Sequence, residues 1–122
     1  MIIDDSKDIH GLLHKFFKDE GYLISIAENG DQALKFLRAT DSLPDVILLD
    51  LMMPVMDGYQ FRVEQEKDSR LAQIPVVVMS AGADLKISFI RANVHGFLKK
   101  PFADLDVVLA TVNAAIQPKL VN

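Results

Sequence analysis

"DVILLDLMMPVMDGYQF", residues 45–61, begins as a buried strand and ends as something else. Val46 to Leu49 is an unbroken apolar run, and Asp50 closes it with a bare carboxylate. Pro54 and Gly58 follow, so the chain leaves the strand and turns. A strand apolar at every position has both faces covered, which is the mark of a parallel sheet between helical layers. A charge at the carboxyl end of such a strand sits where open α/β sheets place their ligands.

The segments on either side fit that reading. "IHGLLHKFF" (9–17) puts Ile9, Leu12, Leu13, Phe16 and Phe17 on one helical stripe that ends before Gly21. "YLISIA" (22–27) is a short β-type run. Asn29-Gly30-Asp31 makes a turn and a helix start, followed by a stripe of Ala33, Leu34 and Leu37. A helix follows the Pro54–Gly58 loop, and "IPVVVMS" (74–80) is a β-branched strand. A helix is expected over 83–94, a short extended run in "GFLKK" (96–100), and a last helix over 103–116 through Leu105, Val108, Leu109, Val112 and Ile116. With the stub at Met1–Ile3, the pattern predicts five strands alternating with five helices. Such alternation predicts an α/β fold with a five-stranded parallel sheet, and right-handed crossovers leave few topologies. The flavodoxin-like doubly wound order 2-1-3-4-5 suits it, with a crevice at the carboxyl ends of strands 1 and 3.

The 122 residues make one domain of ordinary size, half of them hydrophobic. Seventeen acids against thirteen bases give a formal charge of −4, with no basic run, so the composition predicts no direct binding to nucleic acid or membrane. The absence of cysteine removes disulfides, thiolate zinc sites and thiol catalysis. The opening Met1-Ile2-Ile3-Asp4-Asp5 does not resemble a signal peptide, and no apolar run approaches the roughly 20 residues that span a bilayer. A soluble cytoplasmic domain is the expectation.

The expected topology brings the carboxylates together. Asp4 and Asp5 end strand 1, Asp50 ends strand 3, Ser80 ends strand 4 and Lys100 ends strand 5. Three like charges raise one another's pKa unless a cation intervenes. Oxygen-only donors without histidine or thiol suit Mg²⁺. A lysine and a hydroxyl at the neighbouring strand ends supply the cation and the donor that a phosphoryl group needs. The pocket therefore reads as metal-assisted phosphoryl chemistry on a carboxylate.

The set Asp4-Asp5, "LDLMMPVMDG" around Asp50, Ser80-Ala81 and "GFLKKPF" with Lys100-Pro101 resembles the receiver domain of two-component response regulators over nearly the whole chain. That resemblance implies a receiver domain over 1–117, with 118–122 as a C-terminal tail or the start of a linker. It implies that Asp50 accepts a phosphoryl group from a sensor histidine kinase or a histidine phosphotransfer protein. Asp5, Asp50 and the backbone carbonyl of Met52 would ligate Mg²⁺, and Asp4 would hold it through water. Ser80 would contact a phosphoryl oxygen and Lys100 would pair with the phosphate. Phe97 would turn inward on activation, so that the helix 83–94 and strand 96–100 face signals to a downstream partner or output domain. The Lys100–Pro101 bond is cis in the family.

Three features depart from the family pattern. Only three residues precede Asp4 in strand 1, and Asn93-Val94 stands where a Gly-Ala pair is usual. "FRVEQEKDSR" (61–70) puts Arg62 and Gln65 at positions that tend to be apolar, which predicts a less firmly held third helix. His10 and His14 share no metal spacing with a second pair and read as solvated, while Met52, Met53 and Met56 read as loop packing. The alternative function is a receiver-like interaction module that works without phosphorylation; such a module has no use for the acid cluster. A phosphohydrolase of the haloacid-dehalogenase type would need a second aspartate two residues after the first, where this chain has Met52.

Overall fold

Strands Ile47–Asp50 (β3) and Val76–Ser80 (β4) are buried at every position, which sets them in the middle of the sheet. A computed structural model describes residues 1–81 and 94–116, and the elements follow from it. In chain order they are β1 (Ile2–Ile3), α1 (Lys7–Asp19), β2 (Ile26–Ala27), α2 (Gly30–Ala39), β3, α3 (Gly58–Lys67), β4, β5 (Gly96–Lys99) and α4 (Leu105–Ile116). The sheet has the order β2-β1-β3-β4-β5, and every neighbouring pair runs parallel, as the sequence predicts. Among the described residues there are four helices; most of the stretch expected to form a helix over 83–94, and the tail at 117–122, lie outside them.

Alternation along the strands divides the core. Ile3, Ile47, Leu49, Val76 and Val78 join Ala33, Leu34 and Leu37 of α2 and Phe61 of α3. Ile2, Leu48, Val77, Met79 and Leu98 join Leu13 and Phe17 of α1 and Val108 and Val112 of α4. One sheet thus serves two cores, one on each face, as a parallel sheet must.

Several expectations are corrected. The β-type run 22–27 is a strand only at Ile26–Ala27, because its neighbour β1 is itself two residues long and offers no ladder further back. On α1 the expected stripe holds with Leu13 and Phe17 buried and Ile9 and Phe16 partly buried against the same core, but Leu12 falls outside it at 43% exposed. Lys100 lies one residue past β5 rather than within it.

The third helix carries the largest surprise. Arg62 and Gln65 are buried, and their polar atoms are tied down. The Gln65 amide nitrogen donates to Leu71 O at 2.9 Å and Ile74 O at 3.3 Å, while Arg62 Nη1 donates to Gln65 Oε1 at 2.7 Å. Glu66 then takes the other Arg62 nitrogen at 2.9 Å. Burial alone pulls the Arg62 pKa down, and the Glu66 carboxylate opposes that. A polar chain replaces apolar packing and anchors α3 to the loop before β4, because buried donors and acceptors are held where their partners are.

Candidate functional site

Each site residue owes its place to a strand end. β1 stops at Ile3, so Asp4 and Asp5 emerge at its carboxyl end. Asp4 is fully buried, with its Oδ1 accepting from Ser6 N–H at 2.9 Å, whereas Asp5 is exposed. Ser6 in turn caps α1, its hydroxyl oxygen accepting from Ile9 N–H at 3.3 Å. Asp50 ends β3 and is 5% exposed. Gly58, the first residue of α3, lies directly behind it, its N–H donating to Leu51 O at 3.0 Å.

The three carboxylates meet as the sequence predicts. Asp4, Asp5 and Asp50 each offer an oxygen, and these atoms lie within 4.8 Å of one another. Lys100 closes the group: its Nζ is 2.6 Å from Asp4 Oδ2 and 3.5 Å from Asp50 Oδ1. The lysine is thus already engaged by carboxylates. Burial pushes the Asp50 carboxyl above its ordinary pKa, and the neighbouring Asp4 charge adds to it. The Lys100 ammonium and the Met52 N–H, 3.5 Å from Asp50 Oδ1, pull the other way.

Ser80 is buried at the end of β4, and its carbonyl accepts from Lys100 N–H at 2.8 Å, which fixes the lysine backbone beside it. The Lys100–Pro101 bond is cis. Phe97 pairs in register with Val78 and packs, half-buried, against the α2–α3 core. Met53 and Met56 pack in the loop as expected; the Met52 side chain does not, being 70% exposed.

Sequence reasoning missed one contact. The His10 ring nitrogen Nε2 meets the Asp4 carbonyl oxygen, so this half-buried side chain is not a solvated histidine. His14, one turn on, is exposed as expected. Only the spacing from Asp4 to the first turn of α1 could have signalled the contact.

The donor set fits the metal that its chemistry implies. Oxygen donors alone, two buried and one open to solvent, suit Mg²⁺ with water in its remaining positions. Asp5, Asp50 and the Met52 carbonyl are the groups that would hold it, with Asp4 behind them.

Comparisons with known proteins agree with this geometry. The family model for the response regulator receiver domain matches residues 1–113. The response regulator SaeR of Staphylococcus epidermidis is 35% identical over 115 residues, covering 93% of this chain and 48% of that protein. The response regulator PleD of Caulobacter vibrioides is 35% identical over 123 residues, covering 99% of this chain and 26% of its own length. The chain therefore spans about half the length, or less, of these curated relatives. Among solved structures, the signal receiver domain of a signal transduction histidine kinase from Syntrophus aciditrophicus superposes with a TM-score of 0.82 at 26% identity, covering 99% of this chain and 92% of that one. Chemotaxis protein CheY4 of Vibrio cholerae gives 0.82 at 26% identity, covering 93% and 94%. A flavodoxin-like sheet with acids at the ends of β1 and β3, matched along nearly its whole length by one family, leaves a single assignment: the chain belongs to the response regulator receiver domains.

Proposed function

We propose that this domain is a phosphorylatable switch. A carboxylate oxygen of Asp50 attacks the phosphorus of a phosphohistidine on a sensor histidine kinase or histidine phosphotransfer protein. The P–N bond breaks and the imidazole keeps the electron pair, leaving an acyl phosphate on Asp50. One observation carries this reading: Asp50 is a buried carboxylate held at a raised pKa, 3.5 Å from a lysine ammonium. Burial that raises the pKa of a carboxylate is a standing cost, and phosphoryl transfer is a chemistry that uses such a group.

Mg²⁺, when bound, neutralises charge on the phosphoryl oxygens and on the carboxylates. The protein's own groups do the rest. Asp5, Asp50 and the Met52 carbonyl form the ligand set, and Asp4 positions water around it. Lys100 exchanges part of its contact with Asp4 and Asp50 for a phosphoryl oxygen, and the Ser80 hydroxyl donates to another. Phe97, one strand over from Ser80, is the side chain through which this change is read. The surface that carries the signal includes β5 and meets a downstream protein or an output domain. The receiver is taken as 1–117 with 118–122 as tail or linker, acting in the cytoplasm, where histidine kinases use ATP. No helix among the described residues is long and apolar enough to cross a membrane.

The test is direct. With acetyl phosphate and Mg²⁺, intact mass should show one added phosphoryl group, and EDTA should abolish it. No addition, or undiminished addition in EDTA, would contradict the reading.

A further inference from the structure

At the end of β1 stands a carbonyl that the sheet does not pair. Asp4 N–H still donates to Ala27 O at 3.1 Å, a bond from the end of β1 to β2. Beyond Ala27 the neighbour stops being a strand: Glu28 N–H donates to Gln32 Oε1 at 2.6 Å, and Asn29 is the N-cap of α2. In a parallel ladder the Asp4 carbonyl would take its bond from that same stretch. It takes it from His10 instead, whose ring nitrogen Nε2 reaches it from the first turn of α1. A carbonyl oxygen only accepts, so Nε2 carries the proton and donates. The neutral ring protonated at Nε2 and the imidazolium both do this, so the contact does not depend on the charge of the histidine.

The neighbouring bonds close around Asp5. On its amino side the Asp4–Asp5 peptide is held through the Asp4 carbonyl by His10. On its carboxyl side the Asp5–Ser6 peptide is held through Ser6 N–H, which donates to Asp4 Oδ1 at 2.9 Å. His10 is itself placed by the helix start: its backbone N–H donates to Ser6 O at 3.0 Å, and the Ser6 hydroxyl oxygen accepts from Ile9 N–H. Asp4 is fully buried, and its N–H, its carbonyl and both carboxylate oxygens are engaged, Oδ2 by Lys100 Nζ at 2.6 Å. Asp5 is the opposite: it is exposed, and its carboxylate has no hydrogen bond or ion pair with another described residue. Yet one of its oxygens lies within 4.8 Å of those of Asp4 and Asp50. A side chain without partners keeps such a place only as well as its backbone does.

We propose that His10 is a positioning residue for the metal site: by donating to the Asp4 carbonyl it fixes the Asp4–Asp5 peptide, and so aims the Asp5 carboxylate at Asp50 before Mg²⁺ arrives. Without that donor, the backbone of Asp5 is held by a side-chain bond only on its Ser6 side. A ligand that must be ordered on binding subtracts that ordering from affinity. If His10 did no more than satisfy a buried carbonyl, its loss would show in folding stability and not in metal affinity. The inference rests on the Mg²⁺-dependent reading above and adds to it a residue that contributes no ligand of its own.

The experiment titrates the unphosphorylated protein with Mg²⁺ by amide NMR at one fixed pH, under conditions where each variant is folded. His10→Phe keeps a ring and removes the donor; it should weaken Mg²⁺ binding roughly threefold to tenfold, the order of cost for one freed backbone unit. His10→Gln, whose amide nitrogen takes the place of Nε2 as donor, should bind like the wild type. The metal-free wild type should already hold the Asp5 amide as rigidly as a strand, with an order parameter of about 0.85. Unchanged or tighter Mg²⁺ binding in His10→Phe would overturn the proposal, and so would equal losses in the Phe and Gln variants. An Asp5 amide with an order parameter below about 0.6 in the metal-free wild type would overturn it even if neither variant folded. A wild type whose amides around Asp4, Asp5 and Asp50 do not respond to Mg²⁺ would instead remove the metal reading itself, and the proposal with it.

Discussion

Gly58→Ala is expected to destabilise the domain by about 3 kcal/mol, the upper end for forcing extra volume into a packed site. The added β-carbon would lie 2.5 Å from Asp50 O, 2.8 Å from Leu51 Cα and 3.1 Å from Leu51 Cδ2. Two of these are backbone atoms of the strand end, so no side-chain rotation can relieve the collision. Gly58 does not stand at positive φ, and what demands glycine is proximity alone. Either α3 moves away from β3, breaking the Gly58 N–H to Leu51 O bond, or the Asp50 backbone shifts. Thermal unfolding should show a midpoint lower by roughly 10–20 °C, as expected for a domain of this size. A shift under two degrees would show that the α3–β3 junction is looser than described. Gly30 offers a comparison: there the two nearest atoms, Met56 Cγ at 2.8 Å and Sδ at 3.0 Å, belong to a flexible side chain and the backbone contact, Met56 O, is longer at 3.1 Å, so Gly30→Ala should cost less.

The second expectation concerns Asp50 and pH. Burial and the Asp4 charge raise its folded-state pKa. A carboxyl whose pKa is higher folded than unfolded binds more protons in the folded state, so stability falls as pH rises through the window between the two values. Below the ordinary carboxylate range the group is protonated either way and imposes no cost. Above the raised folded value the full cost is present. Asp50→Asn removes the charge and leaves Lys100 its 2.6 Å pair with Asp4. Without metal, the variant should be more stable than the wild type by about 1–2 kcal/mol at neutral pH, as for removal of an incompletely paired buried charge. That advantage should vanish at pH values below the ordinary carboxylate range. Denaturant unfolding of both proteins across pH in EDTA measures it; an advantage that persisted or grew in acid would contradict the sign. A site that costs stability until its ligand arrives is what a switch requires.

Much of this was legible in the sequence because the decisive signals are local. A strand apolar on both faces, as in Val46 to Leu49, has few alternatives, and the acid ending it marks the carboxyl edge of the sheet. Alternation of strand and helix then gave the order 2-1-3-4-5, and order alone brought Asp4, Asp5 and Asp50 together. What escaped depends on partners distant in sequence or on backbone closure. Arg62 and Gln65, polar at positions that tend to be apolar, predicted a less firmly held helix, because nothing local reveals that the carbonyls of Leu71 and Ile74 wait for an amide donor. His10 read as solvated because its partner is a backbone oxygen, which no residue pattern encodes. The shortness of β2 followed from its neighbour, not from its own β-type composition.

The central claim is that Asp50 carries the phosphoryl group. Wild type and Asp50→Asn, each treated with acetyl phosphate and Mg²⁺, should be compared by intact mass, and the labelled peptide mapped. The account predicts one phosphoryl group on the wild type, located on the peptide that contains Asp50, and none on the variant. Equal labelling of the two proteins would contradict it.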